Sequence, residues 1–179
     1  RAEFYLGGAH KIGLNPCSQT EMYMFLLDSQ TGKAHIEPAD QLRMLYGLME
    51  GYGGNIAAIR ANLGPQSCIN YRPLEPVVQP APWFYGRTLL IGDAAHATTP
   101  HLASGAGMAV EDALVLGEVL DQQPSLQAAF EAFMQRRWER CRLIVRNSIR
   151  IGELEMARSD PADQQRLMEE SMALLAAPI

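Results

Sequence analysis

The sequence predicts an α/β protein, with strands and helices mixed in the first part and helices dominating the last. Two observations carry this. Strand-like segments alternate with helical patterns up to about residue 78, and beyond it every segment but one has helical spacing. That one is Thr88-Leu89-Leu90-Ile91, an almost wholly apolar run of the kind buried on both faces of a sheet.

Taken in order, strands are expected near Phe4 to Leu6, His10 to Asn15 and Glu21 to Leu27. Ser29-Gln30-Thr31-Gly32 is turn chemistry. Pro38 suits the first turn of a helix continued by Ala39-Asp40-Gln41-Leu42. That helix is expected to stop at Gly51 in a left-handed conformation, and another follows Gly54. Ser67 to Tyr71 reads as a further strand, after which Pro73, Pro76, Pro80 and Pro82 mark a boundary. Three segments are therefore expected, 1–82, 83–124 and 125–179.

Gly92 ends the apolar run and lets the backbone pass close to a bulky group. Asp93 then stands at the carboxyl end of a strand, where open α/β sheets bind ligands, and can accept from hydroxyls. Ser104-Gly105-Ala106-Gly107 opens a helix whose unpaired N–H groups and positive dipole end suit an electron-rich group. On that helix Ala106, Ala109, Val110, Ala113, Gly117 and Leu120 form the expected buried face, with Glu111, Glu118 and Asp121 on another. Glu111 and Asp112 read as acids favoured by the helix dipole. A long helix from Ser125 carries Leu126, Phe130, Phe133, Met134, Cys141, Val145 and Ile151, and its many arginines are expected in local ion pairs or in solvent. Asp160-Pro161 reads as the cap and first-turn proline of a last helix.

Bulk properties exclude several classes. The net charge of −5 argues against a general nucleic-acid binder. The three cysteines, Cys17, Cys68 and Cys141, are widely spaced and suggest neither a disulfide framework nor a zinc site; a reducing cytoplasm is the expected location. No apolar run reaches the roughly 20 residues of a membrane span. His96 reads as a ring bonded to backbone, without other metal-ligating residues at ligand spacing. His101 is the candidate catalytic residue. Met22 and Met24 alternate with Tyr23 and Phe25, so one face of that strand could line an apolar pocket, although core packing is the simpler reading.

GDAAHATTPHLASGAGMAVEDA closely resembles the second flavin-binding motif of the group A aromatic hydroxylases, the FAD-dependent monooxygenases that include salicylate and p-hydroxybenzoate hydroxylases. HKIGLNP with EMYMF, and RPLEPVVQPAPWFYGRTLLIGDAAH, resemble that family's substrate-domain strands and the crossing back into its FAD domain. The resemblance implies a p-hydroxybenzoate hydroxylase-like FAD-binding fold, with a mixed sheet from the substrate domain followed by long C-terminal helices. It implies that Gly92 and Asp93 meet the ribityl chain of FAD and that Pro100 lies beside the flavin ring. It further implies backbone amides from Gly105, Ala106 and Gly107 at the ring's pyrimidine edge and a cofactor contact at Met108, with Met22, Met24, Pro100, His101 and Leu102 as substrate contacts. NAD(P)H as electron donor and a small aromatic substrate follow from the same likeness. The family's GxGxxG fingerprint is absent: GYGGNI follows a helical pattern and GAGMAV follows a loop. The chain is accordingly expected to be the C-terminal half of a larger flavoprotein, inactive alone, with homo-oligomerisation possible through an unpaired strand. A non-oxygenating flavin reductase or a stand-alone binding module are the alternatives.

Overall fold

The computed structural model describes residues 1–5, 10–29, 35–157 and 159–179. The chain divides into two compact units, Arg1–Pro73 and Leu74–Ile179.

In the first unit three antiparallel strands, β1 (Glu3–Tyr5), β2 (Lys11–Pro16) and β3 (Met22–Leu27), lie in the order β1-β2-β3. Register sets Ile12 opposite Leu26 and Leu14 opposite Met24. With period-two alternation these side chains share a face, and Ile12 and Leu14 form a small core with Met49 and Ile56. Met49 follows helix α1 (Pro38–Leu48) and Ile56 lies in α2 (Gly54–Asn62). Pro38 occupies the first turn of α1 as expected, and Gly51 takes the left-handed conformation at φ 82°. Leu6 and Gln30 to Gly32 lie outside the described residues. The strand expected at Ser67 to Tyr71 does not form; those residues are irregular, and no described strand offers them a ladder partner.

The second unit begins with extended backbone whose amides pair outward, Val77 N–H to Ala97 O and Gln79 N–H to Ala95 O, both at 2.8 Å. Trp83, fully buried, donates its indole N–H to Gln79 O at 2.9 Å. A two-stranded hairpin follows, β4 (Phe84–Tyr85) paired antiparallel with β5 (Thr88–Leu89). The expectation of a fully buried Thr88 to Ile91 strand is corrected here: only its first two residues pair, and Leu90 and Ile91 are exposed. A strand is buried on both faces only when other elements cover it, and β5 has β4 as its sole ladder partner among the described residues.

Next come the short helix α3 (Asp93–His96), a 3₁₀ turn (Pro100–Leu102), α4 (Gly105–Gln122), α5 (Leu126–Met156) and α6 (Pro161–Ala176). Ser125 caps α5 by accepting from Ala128 N–H, and Asp160 caps α6 by accepting from Ala162 N–H. The core joins Trp83, Ala95 and Leu102 to Met108, Val115 and Val119 of α4 and Phe133, Cys141, Ile144, Val145 and Ile151 of α5. The α4 face differs from the one expected. Val110 and Leu120 are 61% and 48% exposed, and Ala106, Ala113 and Gly117 are also exposed, whereas Met108, Asp112, Val115 and Val119 are buried. Met108, Val115 and Val119 share their face with Asp112, and an ion-pair network at Asp112 makes that face tolerable for a carboxylate.

Candidate functional site

Gly92 is where the hairpin turns into α3. Its backbone stands at φ 56°, ψ −141°, which side chains rarely tolerate, and a Cβ there would come within 3.2 Å of the Ala109 Cβ. Glycine therefore lets the turn lie directly on the first turns of α4. Gly92 O accepts from Ala95 N–H and His96 N–H, each at 2.9 Å, which closes α3. Asp93 is the first residue of α3 and is exposed.

Asp112, fully buried on α4, reaches back to this turn. Its Oδ2 accepts from Gly92 N–H at 2.8 Å and lies 2.6 Å from His96 Nε2, and its Oδ1 accepts from Arg137 Nε at 2.7 Å. Arg137, also fully buried, donates through Nη1 to Glu111 at 2.7 Å and through Nη2 to Met108 O at 3.1 Å. Arg140 grips Glu111 with two bonds, at 2.9 and 2.8 Å, and donates to the carbonyls of Leu174 and Leu175 at the end of α6. Glu111 and Asp112 are thus partners of two buried arginines, not acids placed for the helix dipole alone. Arg137 and Arg140 likewise depart from the expectation of local or solvated arginines, which Arg142 and Arg150 do meet in pairs with Glu139 and Glu153.

The network fixes protonation. Burial disfavours a charged His96, but its bond to Asp112 and the nearby Cys141 outweigh this and push its pKa up to about 9. Burial would raise Asp112, yet His96, Gly92 N–H and Arg137 hold its carboxyl below the usual range. Burial opposes ionisation of Glu111 too, and Arg140 and Arg137 reverse the sign. His96 was expected to bond backbone and instead bonds this carboxylate. Sequence spacing offered it no metal-ligating companions, but the fold brings His96, Asp112 and Cys141 together with their ligand atoms within 4.8 Å of one another. Both Asp112 oxygens are already taken by cations or N–H groups, and Arg137 Nη2 lies 3.4 Å from Cys141 Sγ. The positive charge a metal would bring is already supplied by Arg137 and the His96 imidazolium.

Thr99, His101 and Ser148 form a second polar group. His101 Nδ1 lies 2.9 Å from Thr99 Oγ1, which is 2.8 Å from Ser148 Oγ on α5, and Ser148 Oγ also donates to Thr99 O. His101 Nε2 sits 3.6 Å from Glu155. The ring rests on Gly152, where a Cβ would meet it at 2.6 Å. His101 is accordingly an anchor of the 3₁₀ turn to α5. Pro100 is exposed at the start of that turn, whereas Leu102 is buried in the core of the unit. Met24 packs against the core of the first unit and Met22 is exposed.

At the start of α4, Gly105, Ala106 and Gly107 occupy the first three positions, whose amides lie outside the intrahelical ladder. Met108 N–H bonds Ser104 O at 2.9 Å and closes the first turn of the helix. Ser104 sits at the cap position without capping, and its buried hydroxyl has no hydrogen-bond partner among the described residues. Three amides outside the helix ladder at a positive helix end fit the polar edge of an electron-rich ring.

Residues 77–148 match the family described as an FAD binding domain. The FAD-dependent urate hydroxylase of Klebsiella pneumoniae is 32% identical over 144 residues, covering 79% of this chain and 36% of that protein. Aurachin C monooxygenase/isomerase of Stigmatella aurantiaca is 30% identical over 148 residues, covering 83% and 38%. Among solved structures, Klebsiella pneumoniae HpxO complexed with FAD and uric acid superposes with a TM-score of 0.74 at 26% identity, over 96% of this chain and 45% of that one. The chain spans less than two fifths of the length of these two curated relatives. The fold is that of the FAD-dependent hydroxylases, and Gly92 and Asp93 lie within the residues that match the FAD binding domain. Residues 77–148 thus fall in the FAD binding domain family, and the chain is similar in sequence and fold to FAD-dependent monooxygenases.

Proposed function

We propose that this chain supplies the flavin end of the FAD site in a monooxygenase that hydroxylates a small aromatic substrate with NAD(P)H and dioxygen. The observation that carries the reading is the turn at Gly92, laid on Ala109 of α4, and in this reading Asp93 and the amides of Gly105 to Gly107 serve one cofactor. Asp93 accepts hydrogen bonds from the ribityl hydroxyls, and the amides of Gly105 to Gly107 meet the electron-rich pyrimidine edge of the ring. Pro100, exposed and rigid, offers a flat apolar surface to the ring's face. When bound, FAD supplies the redox chemistry, while the protein holds and orients it and keeps water away.

The substrate reading is supported by relatives named for urate and aurachin chemistry and by the uric acid in HpxO. The pyrophosphate of FAD needs a GxGxxG cradle, which is expected from a segment outside the 179 residues. Titration of the intact protein with FAD tests the assignment. Asp93→Ala removes the acceptor from buried hydroxyls and is expected to weaken FAD binding by about 1–3 kcal/mol while leaving the fold intact. Unchanged affinity would make Asp93 only the first residue of α3.

A further inference from the structure

We infer that Asp112 is a positioning residue for the flavin-binding turn: clamped by Arg137 and His96, it holds Gly92, and through Gly92 sets where Asp93 stands. The inference rests on the flavin reading above. It goes further by assigning the affinity for FAD in part to a carboxylate that does not touch the cofactor.

The geometry is a closed ring. Gly92 N–H donates to Asp112 Oδ2 at 2.8 Å, His96 Nε2 lies 2.6 Å from the same oxygen, and His96 N–H donates back to Gly92 O at 2.9 Å. Both polar groups of the Gly92 backbone are therefore committed. That matters because a glycine at φ 56°, ψ −141° has many other conformations available, and the direction of the chain into Asp93 depends on those two angles. Arg137, fully buried, takes the other carboxylate oxygen at 2.7 Å and prevents Asp112 from turning away. Four elements meet at one side chain: the turn after β5, α3, α4 and α5.

An asparagine at position 112 cannot reproduce this. The groups facing the carboxylate are Gly92 N–H on Oδ2 and the Arg137 guanidinium on Oδ1, both donors, with His96 Nε2 beside Oδ2, and an amide offers one acceptor oxygen and one donor group. Whichever way it points, its NH2 confronts a donor.

The test uses the intact protein, with FAD uptake followed by quenching of flavin fluorescence and by the visible absorption of the bound flavin. Asp112→Asn is compared with Val119→Ala, a buried apolar change on the same helix, seven residues from Asp112 and outside the hydrogen-bonded ring. The expected result is an FAD dissociation constant about tenfold or more higher for Asp112→Asn, with an altered bound-flavin band. Val119→Ala should lower the unfolding midpoint yet keep the wild-type dissociation constant and band. If Asp112→Asn fails to fold, His96→Gln, which opens the ring on one side only, is expected to raise the dissociation constant in the same direction. Wild-type affinity and band in the folded variant would overturn the positioning role and leave the flavin reading standing. Wild-type protein that takes up no FAD would overturn the flavin reading and this role with it.

Discussion

Replacing Arg137 by methionine should be among the most damaging single changes to the Leu74–Ile179 unit. The guanidinium is fully buried and donates to Asp112 at 2.7 Å, to Glu111 at 2.7 Å and to Met108 O at 3.1 Å. Methionine fills much of the same space, so the main loss is electrostatic. Asp112 would keep His96 and Gly92 N–H but lose the partner of Oδ1 in a region without water access. Removing one member of a buried ion pair costs about 3–5 kcal/mol, because the other charge is left uncompensated. The bidentate bonds from Arg140 still neutralise Glu111, which places the expected value near the lower end of that range. Guanidinium unfolding of wild type and Arg137→Met at pH 7 measures it as a shift in midpoint at constant slope. Arg137→Lys, a compact charge that cannot span both carboxylates, should recover only part of the loss. A loss below about 1 kcal/mol for Arg137→Met would refute the reasoning, since a network contributing that little is no better than an exposed pair.

Stability should also depend on pH through His96. Its folded pKa is raised from 6.5 to about 9, so the stabilisation it brings is fully present below pH 6.5 and is lost as pH rises through about 9. His96→Gln should flatten that alkaline limb in a series of unfolding curves; an unchanged limb would mean that another group titrates there. Asp112 and Glu111 act with the opposite sign: their contribution is present above the unfolded carboxyl range and is lost as pH falls through their lowered folded values. Gly152→Ala should destabilise by about 1–3 kcal/mol through overpacking, because the new methyl would meet the His101 ring at 2.6 Å. Helix propensity alone predicts a gain of about 1 kcal/mol, so a more stable variant would show that His101 moves aside freely.

Much of this protein was legible in the chain itself, and for local reasons. Pro38 and Pro161 at helix starts, Ser125 and Asp160 as caps, and the left-handed Gly51 are decided within a few residues, where backbone sterics and short hydrogen bonds dominate. The Gly92-Asp93 turn and the glycine-rich start of α4 belong to the same class, which is why a turn and a helix start could be read there before any coordinate. What required the tertiary structure was long-range in charge or in burial. Asp112 falls on the stripe Met108, Asp112, Val115, Val119, and Arg137 and Arg140 fall on the stripe Phe133, Arg137, Arg140, Cys141, Ile144. A charged residue inside each helical stripe was the available signal that they neutralise one another. Read one helix at a time, an acid or an arginine at such a position counts against burial, so the alanine and glycine face of α4 looked like the inner one. Likewise an apolar tetrapeptide states that it should be buried but not by what, and the fold of this chain gives Thr88 and Leu89 a hairpin partner while leaving Leu90 and Ile91 exposed. Propensities and caps are properties of neighbours in sequence; the desolvation of a charge is a property of everything that surrounds it in space, and only the packed structure supplies that sum.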